Sequence, residues 1–343
     1  RGLGDVYKRQ VGFVGKQGNK EQVLDDMMKV IVHRGPDSAG KYVNDQVALG
    51  FRRLSIIDLE NGSQPMFNED GEVGIVFNGE IYNSPELRER FLAKGHIFKN
   101  SSDTETLIHG YEEYGEKLVH ELRGMFGFAI WDNKKKRLFM ARDFFGIKPV
   151  YYAMVRGNLV FASEIKSILE FPGFKKEVNN EALEEYLSFQ YSNLTETFFK
   201  GVYRLLPGHY LTYQNGEMNV TQYFDPTLEP VSKDSQEELV KKLTDVLEDS
   251  VDKHMLADVE VGAFLSSGVD SSYIAAKYSG KKTFTVGFFD KNNQYSETQY
   301  AEECAKFLGL ENYSHQITEE EYWGEMPKIM YHMDEPLADP AAI

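Results

Sequence analysis

The sequence predicts two folded parts of different class: an α+β domain rich in short strands, followed by an α/β domain built as a doubly wound parallel sheet. Three observations carry this. With 343 residues, 41% of them apolar, the chain can fill two cores. Strand-like runs separated by Gly, Asn and Asp dominate as far as Tyr213. Beyond an aperiodic segment with two prolines, Phe224 to Gln236, strands and helices alternate instead.

In chain order, residues 1–10, RGLGDVYKRQ, are highly charged and fit no strand leading into Val11, so they read as a non-native lead. Over 11–213 the runs VGFVG, VALGFRRLSIID, VGIVFNGEIYN, FGFAIWD, RLFMARD, NLVFASE and GHYLTYQ are strand candidates. EQVLDDMMKVIVHRG and SDTETLIHGYEEYGEKLVHEL place apolar residues three and four apart, which predicts helices laid on the sheet faces. The linker is expected over 224–236. In 237–343, Leu239, Leu243, Val246, Leu247 and Val251 share one helix face; VEVGAFL, TFTVGFF and NYSHQI read as strands. Ser272 to Tyr278, ETQYAEECAKFLG and EEEYWGEMPKIMYHM read as helices, the last bent at Pro327. Three parallel strands leave apolar faces to be covered, so this part is expected to be the N-terminal portion of a larger domain, truncated at Ile343.

Composition narrows the function. Asp and Glu outnumber Lys and Arg by 54 to 38, a net charge of −16, and no basic stripe exists to neutralise a phosphate backbone, which argues against nucleic acid. The single cysteine, Cys304, excludes disulfides and cysteine-based zinc sites and reads as a core thiol. No apolar run reaches membrane-spanning length and no signal-peptide core is present, so a cytoplasmic location and no membrane partner are expected. A homodimer is admitted, with no residue specifying it.

The stretch GAFLSSGVDSSYIAAKY leaves a strand, passes four serines and an aspartate around Gly268, and enters a helix. Backbone amides, the helix N-terminus and the hydroxyls of Ser266, Ser267, Ser271 and Ser272 can cradle an anion there. Asp270 in such a cradle makes sense if it holds Mg²⁺ against a polyphosphate; an N-cap with polar turn residues is the plainer reading. No Walker A string occurs. In the first part, FRRLSIID, FNGEIYN, NSSDTE and HRGPDSAG set polar groups into apolar strands, and groups such as Asn78, Gly79 and Glu80 need partners in a pocket.

SSGVDSS resembles the PP-loop of ATP pyrophosphatases, Ser-Gly-Gly-x-Asp-Ser, with Ser267 in place of the glycine at the second position. The resemblance implies ATP held by Leu265, Ser266, Ser267, Gly268, Val269, Asp270, Ser271 and Ser272, with the backbone near Val286 against adenine and Asp270 on Mg²⁺. Asp334, Glu335 and Asp339 in MDEPLADPAAI resemble a substrate-side segment, or are turn residues around two prolines. The four fragments of the first part, with ARDFFGIKPVYY and FASEIKSIL, resemble the class II glutamine amidotransferase domain, an N-terminal-nucleophile hydrolase with stacked sheets between helix layers. With the PP-loop, the whole resembles the glutamine-dependent asparagine synthetase family.

That resemblance implies glutamine, aspartate and ATP as substrates, with aspartate amidated through an aspartyl-adenylate to give asparagine, AMP and pyrophosphate. It implies Arg53 on the α-carboxylate of glutamine, backed by the backbone of Leu54, Ser55, Ile56 and Ile57, and Glu80 and Asp103 on the α-ammonium. Asn78 and Gly79 would form the oxyanion hole. His33, Arg34 and Asp37 would shape the neighbouring loop. The family's nucleophile is a cysteine exposed as first residue, expected at position 8, where this chain has Lys8; the chain as written is expected to lack glutaminase activity. Two other readings stay open: a β-lactam-synthetase-like amide-forming enzyme without glutaminase, and a non-catalytic amino-acid-binding module.

Overall fold

In the computed structural model, residues 8–53, 63–228, 232–256, 260–289 and 297–338 are described, Arg34 through its backbone alone. The chain divides into two compact units, one spanning Val6–Pro226 with Asp334–Ala338, the other holding Thr227–Met333.

The first unit opens with β1 (Lys8–Val14), α1 (Lys20–Lys29), β2 (Ser38–Val43), β3 (Val47–Arg53), β4 (Met66–Phe67) and β5 (Val73–Ile81). α2 (Ser84–Ala93), α3 (Asp103–Tyr114), β6 (Gly124–Asp132), β7 (Arg137–Arg142), β8 (Tyr151–Val155) and β9 (Asn158–Ala162) follow. α4 (Ile165–Leu169), α5 (Asn180–Phe189), β10 (Val202–Arg204), β11 (His209–Gln214) and β12 (Glu217–Gln222) complete it. Two six-stranded sheets result, ordered β10-β8-β9-β1-β3-β2 and β12-β11-β7-β6-β5-β4, with antiparallel pairing throughout the strand ladders.

The two-residue period of the strands sorts side chains into layers. Val47, Leu49 and Phe51 of β3 meet Val76 of β5 and Ala129 and Trp131 of β6 between the sheets. Ile75 and Phe77 of β5 turn the other way, onto Leu107, Ile108 and Tyr111 of α3 and Leu87 and Phe91 of α2. Val11 and Phe13 of β1 pack outward on Leu24, Met27 and Met28 of α1 and Ile165 and Ile168 of α4. This is the αββα sandwich expected for the first domain.

The second unit runs α6 (Gln236–His254), β13 (Gly262–Phe264), α7 (Val269–Lys277), β14 (Lys282–Phe288), α8 (Thr298–Leu308), β15 (Glu311–Ile317) and α9 (Glu319–Met333). Its sheet, β13-β14-β15, is parallel throughout, as the alternation predicts. Ser235 and Glu238 form a reciprocal capping box that starts α6 at the end of the expected linker. Cys304 packs beside Leu265, Ala275, Ala301 and Ala305, in the small core of this unit. No helix of the described residues is long and apolar enough to cross a membrane.

Three expectations are corrected. Lys8, Arg9 and Gln10 are strand residues, buried and paired with Arg53, Arg52 and Phe51 of β3, because the charges of Lys8 and Arg9 find buried acids while the backbone continues the ladder. The first domain continues past 213 into β12, whose six residues are all exposed and so carry no alternating apolar signal. α7 begins at Val269, not Ser272, since the hydroxyl of Ser271 turns back to the Gly268 carbonyl and closes the first turn earlier.

Candidate functional site

The polar residues singled out in the first unit meet at one end of the sandwich. On β5, Val76 faces the inter-sheet layer, so the alternation turns Asn78 and Glu80 to the same side. Arg53 ends β3 in phase with Phe51 and lies opposite Lys8 in the ladder register. Asp103 is the first residue of α3, with Ser102 as its N-cap, and its Oδ2 accepts a hydrogen bond from the Ile81 amide at 3.1 Å. Arg53, Asn78, Glu80 and Asp103 are all buried.

Among the described residues, Asn78 Nδ2, a donor, and Glu80 Oε1, an acceptor, find no hydrogen-bond partner in this cluster. Buried polar atoms are seldom left so, and a pair of opposite character in one place is suited to a small polar ligand. Gly79 between them has φ 154°, and a Cβ there would run into the Met125 carbonyl oxygen. Only glycine keeps the backbone bare at this point. The Glu80 carboxyl is held well above its ordinary range, first by burial and then by the neighbouring Asp103, against the opposing pull of Lys8 and Lys148. An additional cation beside it would favour the charged form.

One cation is already there. Lys8 reaches from β1 to place Nζ 3.4 Å from the Gly79 carbonyl oxygen, 3.8 Å from Asp103 Oδ1 and 5.1 Å from the Phe77 ring centre. The ammonium thus lies between an acid and a backbone carbonyl, where a ligand's amino group would find the same partners.

Behind the pocket runs a buried chain of charges. Arg9 donates to Glu164 Oε1 at 3.0 Å and reaches Asn78 Oδ1 at 3.5 Å. Glu164 also pairs with Lys166 and with His33, and Lys166 pairs with Asp334 at 2.9 Å. Burial pushes the Glu164 carboxyl up, but His33, Lys166 and Arg9 together pull it down to about 2. Asp334, by contrast, is shifted upward, burial outweighing Lys166. Its carboxylate accepts the Ile165 amide at 2.7 Å and the Lys166 amide at 3.3 Å, at the start of α4. Glu335 Oε1 takes the Arg204 guanidinium at 2.7 Å and the Phe198 amide at 3.1 Å. Both acids thus anchor the 334–338 segment, which settles neither a substrate role nor a simple turn.

In the second unit the serine loop is open to solvent. Ser266 Oγ lies 2.8 Å from Ser271 Oγ and accepts the Gly268 amide at 3.1 Å, so two of the four hydroxyls preform the bend. Ser267, Gly268, Val269 and Asp270 are exposed around it, Asp270 in the first turn of α7. Ser272 follows in that turn. Leu265, buried beneath the loop, bonds by its amide to the Phe284 carbonyl and by its carbonyl to the Thr285 hydroxyl. Val286, on the central strand, is half exposed.

The bridge from Pro36 to Arg53 and the Asp37 amide on the Arg53 carbonyl at 3.0 Å place the HRGPD loop beside the pocket. Leu54, Ser55, Ile56, Ile57 and Asp339 lie outside the described residues. Lys148 and Glu164 were not expected among the groups around this site; Lys148 is buried and near enough to Glu80 to pull on its proton. The one available signal was the charge set inside the apolar runs FGIKPVYY and FASEIKSIL. The ARDFFGIK run has its own logic. Asp143 accepts the amides of Phe126, Phe145, Ile147 and Lys148, and Arg142 donates to the carbonyls of Gly146, Lys148 and Leu205.

A family model of the glutamine amidotransferase domain matches residues 10–224, and one of asparagine synthase matches residues 242–343. The chain is 45% identical, over 97% of its length and 54% of the relative's, to asparagine synthetase [glutamine-hydrolyzing] 1 of Bacillus subtilis. It is 39% identical to a putative asparagine synthetase [glutamine-hydrolyzing] of Mycobacterium tuberculosis, over 91% of this chain and 51% of that one. The chain therefore spans about half the length of these curated relatives. Among solved structures, glutamine phosphoribosylpyrophosphate amidotransferase of B. subtilis aligns over 89% of this chain and 65% of that one, at 16% identity and a TM-score of 0.48.

Proposed function

The chain belongs to the glutamine amidotransferase domain family over residues 10–224 and continues over residues 242–343 into an asparagine synthase domain, and on that premise we propose that it is part of a glutamine-dependent asparagine synthetase. In this reading the buried pocket grips free glutamine by both charged ends. Arg53 presents its guanidinium fork to the α-carboxylate, and Glu80 and Asp103 take the α-ammonium in the place Lys8 now fills. Asn78 Nδ2 and the Gly79 amide are the donors for the oxyanion that forms when the side-chain amide is attacked. The observation that carries the reading is that Asn78 Nδ2 and Glu80 Oε1, two residues apart on the same face of β5, are both buried without a hydrogen-bond partner among the described residues.

In the second unit, the reading gives the exposed serine loop the pyrophosphate of ATP, with Leu265 and the Val286 backbone against the adenine. The donor set fits: hydroxyls and a helix N-terminus face outward, and the Asp270 carboxylate stands beside them to hold Mg²⁺. ATP would activate the side-chain carboxylate of aspartate as an acyl-adenylate, and ammonia would displace AMP to give asparagine. We place this chemistry in the cytoplasm.

Lys8 bears directly on the glutaminase half. A lysine side chain does not replace a terminal thiolate, and Cys304 belongs to the other unit, so the sequence with Lys8 is expected to release no ammonia from glutamine. A version beginning at position 8 with cysteine, its α-amine free to act as base, is expected to gain that release. Aspartate-dependent exchange of label between pyrophosphate and ATP tests the ligase half. Glutamine binding with no such exchange would leave an amino-acid-binding module; exchange without glutamine binding would favour an amide-forming enzyme that has lost its glutaminase.

A further inference from the structure

We propose that Glu69, His96, His109 and Glu112 form a binding site for a divalent transition-metal ion, zinc by the chemistry of the donors. The four come from three separate segments: the turn after β4, the stretch between α2 and α3, and the body of α3. One ligand atom from each lies within 4.8 Å of the others. The site is remote in function from the amino-acid pocket, using none of its residues.

Four of the donor spacings bracket those of a tetrahedron, two of them running to different oxygens of Glu69. Zinc held at about 2.0–2.1 Å by nitrogen and oxygen requires ligand atoms about 3.3–3.4 Å apart. His109 Nδ1 is 2.9 Å from Glu112 Oε2 and 3.8 Å from Glu69 Oε2. His96 Nδ1 is 3.7 Å from Glu112 Oε2 and 3.8 Å from Glu69 Oε1. Shifts of a few tenths of an ångström bring the set to bonding distance. Two neutral imidazoles and two carboxylates match a divalent ion in charge, and imidazole with carboxylate suits zinc better than magnesium or calcium.

An independent observation points the same way. Both histidines turn Nδ1 toward the cluster, and His96 Nε2 meets an outer carboxylate, Glu113 Oε1, at 3.1 Å, while the Glu105 carboxylate lies 4.0 Å from His109 Nε2, beyond hydrogen-bond reach. Asn68 Nδ2 likewise holds Glu112 by Oε1, leaving Oε2 for the cluster. Such outer partners, which fix the tautomer and aim the ring, are the rule around metal-bound histidines. His109 is buried while Glu69 and Glu112 are exposed, so the cluster has a rigid floor and an open entrance. A metal here would pin the turn after β4 and the segment carrying His96 onto α3, whose first residue is Asp103.

The test uses the full chain, stripped with a chelator and titrated with Zn²⁺ and with Co²⁺ in excess Mg²⁺. One equivalent of Zn²⁺ is expected, with a rise in melting temperature, and the Co²⁺ form should show the intense visible absorption of a tetrahedral site. His96→Ala and His109→Ala should each weaken binding by more than about 100-fold, and Glu113→Gln by about 10 to 100-fold. His315→Ala, in the other unit, should leave it unchanged. No binding, binding indifferent to His96→Ala, or a weak octahedral Co²⁺ spectrum would overturn the proposal. Because His96 lies nearer the surface than His109, its variant carries the test if His109→Ala does not fold.

Discussion

In the unit that holds Val6–Pro226, the groups singled out for chemistry are among the most buried of the described residues, whereas in the unit that holds Thr227–Met333 the serine loop lies in the open. The contrast extends to packing. All nine residues of β5 are buried, but α6 and α9 bury none, and Leu243, Val246, Phe307 and Trp323 are exposed. A site assembled by strand register inside closed layers can orient each polar group through its neighbours. A site made of a strand-to-helix bend depends on the bend itself, and here Ser266 and Ser271 supply that bend.

The sharpest break in this comparison is Glu164→Gln. Leaving Arg9 and Lys166 beside a neutral amide should cost about 3–5 kcal/mol of stability in the first unit, read from denaturant unfolding at neutral pH. Since the Glu164 carboxyl is depressed, its contribution is present above the ordinary value near 4.5 and lost as pH falls toward about 2. The gap between the two proteins should therefore close across that window. A constant gap would mean packing, not charge, sets the cost.

Next in size is a matched pair of truncations. Leu107→Ala, in the fully buried face of α3, should cost about 2–5 kcal/mol. Leu243→Ala, on the exposed face of α6, should stay within about 0.5 kcal/mol. Equal costs would show that the apolar face of α6 is covered after all.

A smaller effect reports on the pocket charge. Burial and Asp103 raise the Glu80 carboxyl, so an incoming α-ammonium must favour its ionised form and drive a proton off. Glutamine affinity should rise with pH through the raised range, and calorimetry in buffers of different ionisation enthalpy should detect proton release. No release would mean Glu80 stays protonated in the complex.

The strands with covered faces were legible because apolar runs and turn punctuation mark them: VGIVF opens β5 and MFGFAIW fills β6. β12 was not, having no buried face, and of its apolar residues α2 buries Leu87 and Phe91 while Leu92 stays exposed. Arg53, Asn78, Glu80 and Asp103 could be picked out as polar groups set into apolar surroundings. The charges behind them could not. Arg9 and Glu164 are 155 residues apart, and only the antiparallel pairing of β1 with β9 brings them together. Position 8 misled for the same reason, since its charge looks foreign to a strand until Asp103 and Gly79 are seen across the pocket.

The most direct measurement is a titration of L-glutamine into the Lys8→Ala chain, with Asn78→Ala and Glu80→Gln added separately to that background. The account predicts one molecule bound per chain in the emptied pocket, tighter than with Lys8 in place, and weakened by either further change. Absence of binding, or binding untouched by both, would contradict the assignment of this pocket to a free amino acid.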